Sequence, residues 1–240
     1  MTDSLPPILT RRRLLALAGA GAGSIVLAAC GDDEPSLSAD ANPIDGASSP
    51  SCVLTPDEAE GPFYTDLDLV RRDITDGRAG SPLELRITVV DADGCTAISG
   101  AEVDVWHADA EGLYSAFTEQ GEDEDVDTTA ESFLRGVQTT DQRGIAVFDS
   151  IYPGWYPGRT AHVHAKIHFD DRTAVTTQFY FPDDISASVY TAHAAYIDRG
   201  DKDTSNDDDG LSAELASLRM AVEPSGDGHV ASITVGIDRS

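Results

Sequence analysis

Between residues 82 and 237, hydrophobic and polar residues alternate in short runs separated by turn-forming residues. The clearest runs are ITVV, EVDVW, IAVFD, HVHAKIHF, TTQFYF and HVASITVGI. A two-residue period places one side of each run against a core, and short strands at roughly ten-residue spacing are typical of a β-sandwich. Helical spacing is confined to 186–198 and 212–222. The pattern therefore predicts an all-β fold, a β-sandwich with long loops and one or two short helices.

The run HVHAKIHF differs from the others because its polar face carries three of the six histidines in the chain. Residues two apart on a strand point the same way, with Cα atoms about 6.6 Å apart, so His162 and His164 can converge on one metal ion. His168 lies about 13 Å beyond His164 along an extended strand, and we do not expect it to join them. Because a solvated His-x-His pair often has no metal, its neighbourhood decides the interpretation.

Two tyrosines and an arginine form that neighbourhood. Tyr156 and Arg159 lie in the Pro-Gly-rich bend before His162, and Tyr114 follows the run DVWHADAEG near the same end of the predicted sandwich. Taken singly, each tyrosine is better explained as a half-buried residue at a sheet edge. Ferric iron, however, is a hard cation that favours anionic oxygen donors and lowers the pKa of a phenol. Together these side chains match the chemistry of ferric iron.

Six segments extend the pattern in a fixed order along residues 52–182. They are EGPFY, DVWHADAEGLYS, FLRGVQTTDQRG, IYPGWYPGR, HVH and TQFYF. The ordered set resembles the intradiol ring-cleavage dioxygenases, the family of catechol 1,2-dioxygenase and protocatechuate 3,4-dioxygenase. The resemblance implies a non-haem Fe(III) cofactor whose ligands are Tyr114, Tyr156, His162 and His164.

The resemblance also implies a reaction. In that family, the tyrosine matching Tyr156 leaves the metal when a catechol binds through both oxygens. The ring is then cleaved by O2 between its two hydroxyl-bearing carbons, which gives a muconate-type diacid. Arg159 would stabilise negative charge on the ring, a role that a fixed guanidinium suits, and Gln178 would help to orient the substrate. The expected partners are therefore a catechol-type small molecule and O2.

The native catechol and the oligomeric state stay open, with a homodimer among the options. Residues 31–59 show no helical domain of the kind that dimerises the cytoplasmic catechol enzymes, and the spacing between Tyr156 and His162 is shorter than in those enzymes. In both respects the chain resembles the exported branch of the family.

Two other interpretations compete with the enzyme. A non-catalytic carboxypeptidase-regulatory or transthyretin-like β-sandwich module at the cell surface shares the GAEVDVW strand, the TTDQRG turn and the Pro-Gly ending. Such a module requires neither Tyr114 nor Arg159 nor the His-x-His strand, which favours the enzyme. A cupin also begins its metal motif with His-x-His, but it expects a glutamate soon afterwards, where this chain has His168 and two aspartates.

The first 50 residues predict export and tethering. In residues 1–29, consecutive arginines precede an apolar run of 16 residues, which is too short for a stable membrane span and resembles a twin-arginine signal. The ending Leu-Ala-Ala-Cys resembles a lipobox and would make Cys30 the lipidated first residue. Residues 30–50 lack periodicity and are predicted to be a flexible tether to the domain at 51–240. We therefore expect lipid anchoring at Cys30 on the outer face of the cytoplasmic membrane, periplasmic or extracellular, with no other membrane contact.

Cysteines and charge add two expectations. Export permits disulfide bonds, and we predict one between Cys52 and Cys95. The formal net charge of -27 argues against a nucleic-acid partner, because phosphate binding needs Lys and Arg. The acidic runs at 121–127 and 201–210 are predicted to be solvated loops.

Four further aromatic or imidazole side chains are not expected to bind the metal. His107 is predicted to lie on a polar face or to support a ligand from behind. His193 and His229 are predicted to be surface residues. Tyr64, in EGPFY, is predicted to pack the first segment of the domain against the site.

Overall fold

The computed structural model describes residues 53–211 and 216–239, and within them eight strands form two four-stranded sheets. In chain order the strands are β1 (Pro82–Asp91), β2 (Glu102–Trp106), β3 (Arg135–Thr139), β4 (Ile145–Ile151), β5 (His162–Phe169), β6 (Arg172–Tyr180), β7 (Ala221–Ser225) and β8 (Gly228–Ile237). The first sheet has the order β4-β1-β8-β7, and the second has the order β3-β2-β5-β6. All neighbours are antiparallel except β1 and β8, which are parallel. The predicted β-sandwich is confirmed.

The hydrophobic core lies between the two sheets and follows from the alternation along the strands. The inward-facing side chains of the two central strands β1 and β5 are fully buried: Leu85, Ile87, Val89, Val163, Ala165 and Ile167. Burying one large aliphatic side chain contributes about 1.5–3 kcal/mol, so these two strands supply much of the driving force for the sandwich.

Two short helices, α1 (Asp183–Ala192) and α2 (Ala194–Ile197), follow β6 and confirm the helical prediction for 186–198. Helix α1 begins after Pro182 and carries two aspartates in its first turn. Negative charge is favourable there because it opposes the positive end of the helix dipole.

The helical prediction for 212–222 is wrong over the part that the structure describes. Ala216–Leu218 forms a short 3₁₀ turn, and β7 begins at Ala221 and pairs with β8. Backbone pairing with an existing sheet outweighs a weak local helical preference. Because β7 is an edge strand, it also tolerates Pro224, which has no N–H to donate.

Strand β5 is buried on both faces over its first four residues, His162–Ala165. His162 and His164 point away from the first sheet, toward the outer face of the second sheet. The loops at 53–72, 107–134 and 152–161 cover that outer face near the histidines. The fold thus provides a second, smaller buried region outside the main core.

Several predictions concern residues outside the described ranges, namely the signal at 1–29, the lipidated Cys30, the tether at 30–50 and Cys52. Cys95 is disulfide-bonded, at the turn after β1. In the part of the chain that is described, no helix has the length and apolarity needed to cross a bilayer.

Truncating Leu85 should test the position of the core. Leu85 is 0% exposed in the middle of β1, so Leu85→Ala should lower the free energy of unfolding by about 2–5 kcal/mol. Leu54→Ala is the matched control, because Leu54 is 56% exposed and its loss should change stability by less than about 0.5 kcal/mol. Urea unfolding measures both values, and equal effects would contradict this assignment of the core.

Candidate active site and metal centre

The candidate site lies on the outer face of the second sheet, where one row of paired residues crosses all four strands. Strand pairing places Arg135 of β3 beside Trp106 of β2, Trp106 beside His164 of β5, and His164 beside Gln178 of β6. Paired residues on neighbouring strands point to the same face of a sheet. These four side chains are therefore neighbours on one surface.

Two phenols and two imidazoles meet at the start of β5. The hydroxyl oxygens of Tyr114 and Tyr156 lie 3.2 Å and 3.3 Å from Nε2 of His162. Nε2 of His164 lies 3.1 Å from the same atom. The structure therefore brings together all four residues that the sequence nominates as metal ligands.

Hydrogen bonding determines which nitrogen of His162 faces this centre. Nδ1 of His162 lies 2.7 Å from the carbonyl oxygen of Thr160. A carbonyl oxygen only accepts, so Nδ1 carries the proton and Nε2 presents its lone pair to the phenols. This neutral tautomer is the form of histidine that binds metals.

His164 is oriented by packing. Its ring stacks on the indole of Trp106, with centroids 5.0 Å apart and an interplanar angle of 8°. Nδ1 of His164 is buried and has no hydrogen-bond partner among the described residues. Gly61 also lies close to this ring, because an added Cβ would stand 3.1 Å from Cε1 of His164, and the φ angle of Gly61 is +76°. Glycine suits this position because it combines a positive φ with close approach to the ring.

The donor set fits a metal ion. Nε2 of His162 has one lone pair and can accept one hydrogen bond, but three polar atoms lie around it. Hydrogen bonds within the protein therefore cannot satisfy this cluster of polar atoms. Two phenol oxygens and two imidazole nitrogens form a mixed set that suits ferric iron once the phenols are ionised. Residues 53–211 and 216–239 contain no cluster of three or more His, Cys, Asp and Glu side chains that could hold a metal. The tyrosines are therefore needed to complete a ligand set.

Burial keeps these groups neutral when no metal is bound. Desolvation lowers the pKa of His162 to about 3, and it lowers the pKa of His164 well below the usual value. Desolvation also raises the pKa of Tyr156 and, more strongly, that of Tyr114, although the nearby Arg159 opposes both shifts. The imidazoles are thus ready to bind without releasing a proton. Each phenol must release one, which a highly charged cation promotes.

Arg159 and Gln178 lie directly beside the four donors. The guanidinium of Arg159 donates from Nη1 to the hydroxyl of Tyr156 at 3.3 Å and from Nη2 to Oε1 of Gln178 at 2.6 Å. Nε2 of Gln178 donates to the carbonyl oxygen of Ala59 at 2.8 Å, which fixes the orientation of the amide. The positive charge nearest to the phenol of Tyr156 is therefore held by a defined network.

A cavity of about 280 Å³ opens beside Tyr156. Phe63 and Tyr156 form its wall next to the centre, and Phe63 stacks on Tyr114 with ring centroids 4.5 Å apart. The charged residues of the wall are Glu111, Glu119, Glu122, Glu124 and Arg199. The volume is near the lower end of the roughly 300–1,000 Å³ that is common for small-molecule sites.

A protein-family model described as Dioxygenase matches residues 59–213, which include every residue of the site described above. The chain belongs to the intradiol ring-cleavage dioxygenase family. It is 32% identical to catechol 1,2-dioxygenase 1 of Acinetobacter lwoffii, over 52% of this chain and 45% of that protein. The chain thus spans about half the length of the curated relatives it matches.

Solved structures of the same family share the fold. An intradiol ring-cleavage dioxygenase from Tetranychus urticae matches with a TM-score of 0.70 and 29% identity, over 78% of this chain and 95% of that one. The dioxygenase domain of a dioxygenase carbohydrate-binding protein fusion from Streptomyces sp. SirexAA-E matches with a TM-score of 0.59 and 29% identity, over 78% and 99% of the two chains.

Three residues of this intradiol site are not evident from the sequence pattern. Asp209 is 0% exposed and accepts from Nε of Arg159 at 2.9 Å, so the prediction of a solvated loop at 201–210 is wrong at this position. Trp106 and Gly61 both hold His164. The sequence does contain a signal for Trp106, because a strand paired with β5 must place one of its residues beside His164. The hydrophobic alternation does not give the register of that pairing, so it does not say which residue this is.

The other histidines do not face the centre. His107 is buried, and its two ring nitrogens lie within 2.8 Å of the carbonyl oxygen of Ala108 and Oγ of Ser150, so they do not face the four donors. Neither contact supports a metal ligand, a role that the sequence allowed. His168 contacts the hydroxyl of Thr173 at the far end of β5. His193 and His229 are half-buried and not fully on the surface, since His193 caps α2 and His229 packs near Tyr152. Tyr64 packs against Trp106, with ring centroids 4.7 Å apart.

Buried neutral histidines predict that the metal-free protein loses stability in acid. Desolvation lowers the pKa of His107 to about 4 and that of His162 to about 3, whereas an unfolded histidine has a pKa of about 6.5. The unfolded chain therefore binds more protons below pH 6.5, and the free energy of unfolding falls as the pH falls from there toward 4. Each such histidine contributes at most about 1.4 kcal/mol per pH unit.

Urea unfolding of the metal-free chain at about pH 7, 6 and 5 measures this loss. His107→Gln should reduce the dependence on pH, because it removes one of the neutral imidazoles. A free energy of unfolding that stays constant over this range would contradict the burial of neutral histidine.

Proposed function

We propose that this protein is a non-haem Fe(III) dioxygenase that cleaves a catechol-type ring between its two hydroxyl-bearing carbons with O2 and releases a muconate-type diacid. The observation that carries the proposal is the meeting of two phenols and two imidazoles within 3.3 Å of Nε2 of His162. The name of the Acinetobacter lwoffii relative, catechol 1,2-dioxygenase 1, supports this class of reaction.

Tyr114, Tyr156, His162 and His164 are the residues that would hold the iron. When bound there, ferric iron supplies a Lewis-acidic and redox-active centre for the reaction between the catechol and O2. A non-catalytic β-sandwich module has no use for four donors that converge on one point, which favours the enzyme over that alternative.

The two tyrosines differ in their freedom to move. Tyr114 is 1% exposed, and its backbone N–H donates to the side chain of Gln120 at 3.0 Å. Tyr156 is partly exposed in the Pro-Gly bend and forms part of the cavity wall. We therefore assign Tyr114 as a permanent ligand. Tyr156 would be the residue that yields its place to the substrate, and its oxygen, ionised as phenolate, could accept a proton from the catechol.

Arg159, Gln178 and Phe63 would act on the bound ring. The fixed guanidinium of Arg159 stabilises negative charge that builds up on the ring, an interaction that is strong where water is excluded. The amide of Gln178, held by Arg159 and by the carbonyl oxygen of Ala59, orients the substrate. Phe63 provides an apolar surface that keeps water out and can pack against an aromatic ring.

We also propose that the protein is exported and anchored through a lipid on Cys30, and that Cys52 is the disulfide partner of Cys95. The sequence features of residues 1–52 support both statements, and those residues lie outside the described ranges. In this arrangement the tether at 30–50 holds the dioxygenase domain away from the membrane.

Replacing one phenol should weaken the colour and greatly reduce turnover. Tyrosinate bound to ferric iron absorbs visible light, so the iron-loaded protein should be red-brown. Tyr156→Phe should lose much of this absorption and at least about 100-fold in turnover, because it removes an anionic ligand. Tyr196→Phe is the matched control, since Tyr196 bonds the carbonyl oxygen of Tyr152 away from the centre and should keep the colour. Visible spectra and an oxygen electrode measure the two properties. Full oxygen uptake by Tyr156→Phe would refute the ligand assignment.

The carboxylates around the cavity predict discrimination by charge. Four glutamates outnumber Arg199, which itself lies 3.7 Å from Glu122, so an anionic ring substituent meets repulsion. We expect kcat/KM to be at least about 10-fold lower for protocatechuate than for catechol at low salt. The ratio should move toward one as salt is raised, because exposed charges are screened.

An oxygen-electrode assay of both substrates at low and high salt measures the ratio. At low salt, Glu122→Gln combined with Glu124→Gln should bring the ratio of the two kcat/KM values closer to one. Asp201→Asn, which lies in a different loop, should leave this ratio unchanged. A preference that is independent of salt would contradict an electrostatic origin.

A further inference from the structure

Asp209 is a buried carboxylate that the proposed reaction does not itself use. Its Oδ2 accepts from Nε of Arg159 at 2.9 Å and from the backbone N–H of Thr160 at 3.0 Å. Its Oδ1 accepts from the backbone N–H of Leu211 at 2.9 Å. Burial raises the pKa of this carboxyl, but these hydrogen bonds outweigh burial and hold the pKa below its usual range. Asp209 is therefore an anion under ordinary conditions.

Arg159 uses three different nitrogens for three partners. Nε bonds to Asp209, Nη1 to the hydroxyl of Tyr156, and Nη2 to Oε1 of Gln178. A guanidinium is planar and its N–H groups form a rigid fork, so holding the Nε edge determines where the other two nitrogens point. Without an anchor, a long arginine side chain samples several rotamers and loses conformational entropy when it is ordered.

The loop that carries Asp209 has its own attachments to the domain. Lys202 donates to Oγ1 of Thr160 at 2.8 Å and also pairs with Asp183. The side chain of Asn206 donates to the carbonyl oxygen of Phe181 at 2.7 Å. These contacts hold the loop to the elements beside the site without using Asp209. The loop is therefore expected to keep its path when the carboxylate of Asp209 is replaced.

We propose that Asp209 is a positioning residue, which fixes the guanidinium of Arg159 and, through it, the hydroxyl of Tyr156 and the amide of Gln178. The proposal rests on the dioxygenase function proposed above. It makes the acidic loop at 201–211 part of the active site, with Asp209 acting on the reaction only through Arg159. The neighbouring Asp208 is exposed and bonds to Ser205 of its own loop, which makes it a matched control.

The first measurement needs no turnover. In the full chain, with Ga(III) as a diamagnetic replacement for iron and also without metal, the Nε–H signal of Arg159 is observed by ¹⁵N NMR and assigned with Arg159→Met. It should be resolved and exchange slowly in the wild type and in Asp208→Asn. In Asp209→Asn it should exchange at least about 10-fold faster or disappear. An unchanged signal in Asp209→Asn would overturn the proposal.

The second measurement is a double-mutant cycle in the iron-loaded enzyme. Asp209→Asn should lower kcat by about 10- to 100-fold with KM changed less than about threefold, because Arg159 acts on charge that develops during the reaction. In an Arg159→Met background, adding Asp209→Asn should lower kcat by less than about a further twofold. Asp208→Asn should stay within about twofold of the wild type. Iron content should be equal in all variants.

The outcomes separate the two proposals. If Asp209→Asn lowers kcat by the same factor with and without Arg159, the effect is generally structural. That result would overturn the positioning role. If the wild type takes up no O2 with any catechol, the dioxygenase function fails. The NMR signal of Arg159 then decides by itself whether Asp209 fixes the guanidinium.

Discussion

The site depends on the antiparallel pairing of β5 with β2 and β6. With the observed register, the aliphatic residues of β5 face the core, and His162 and His164 face the opposite side. Because side chains alternate with a period of two, a slip of one residue would put imidazoles into the core and aliphatic groups into the site. The same register supplies Trp106 on one side of His164 and Gln178 on the other. A backbone interaction thus places three side chains of the centre at once.

Rigid and adaptable parts of the site come from different kinds of structure. The imidazoles stand on a central strand, where packing leaves little freedom, and His162 is further held by the carbonyl oxygen of Thr160. The phenols and Arg159 come from loops, but hydrogen bonds hold Tyr114 and Arg159 in place. Tyr156, which is partly exposed in its Pro-Gly bend, is the more adaptable member. Burying so many polar groups without full hydrogen bonding is costly, and the separate core between the sheets offsets that cost. The centre can therefore stay incompletely satisfied in the protein alone.

The segment that matches the family model contains the complete candidate site. It covers residues 59–213 and so includes the loops with Tyr114 and Tyr156, the histidine strand and Asp209. The Tetranychus urticae structure matches over 95% of its length, whereas the curated Acinetobacter lwoffii relative matches over 45% of its own. The Acinetobacter lwoffii relative therefore extends well beyond the part that it shares with this chain.

The sequence by itself determined the strands, the sandwich and the candidate ligands, because alternation and the order of short motifs are local properties. It failed over 216–222, the described part of the predicted helix, where a weak helical pattern lost to pairing of β7 with β8. The distances among the four donors, the neighbours of His164 and the burial of Asp209 were decided only by the tertiary structure. Asp207 and Asp208 look the same as Asp209 in sequence, and only the last is folded inward, onto an arginine 50 positions away. Such a contact depends on where two distant loops meet in space, and no local pattern encodes that.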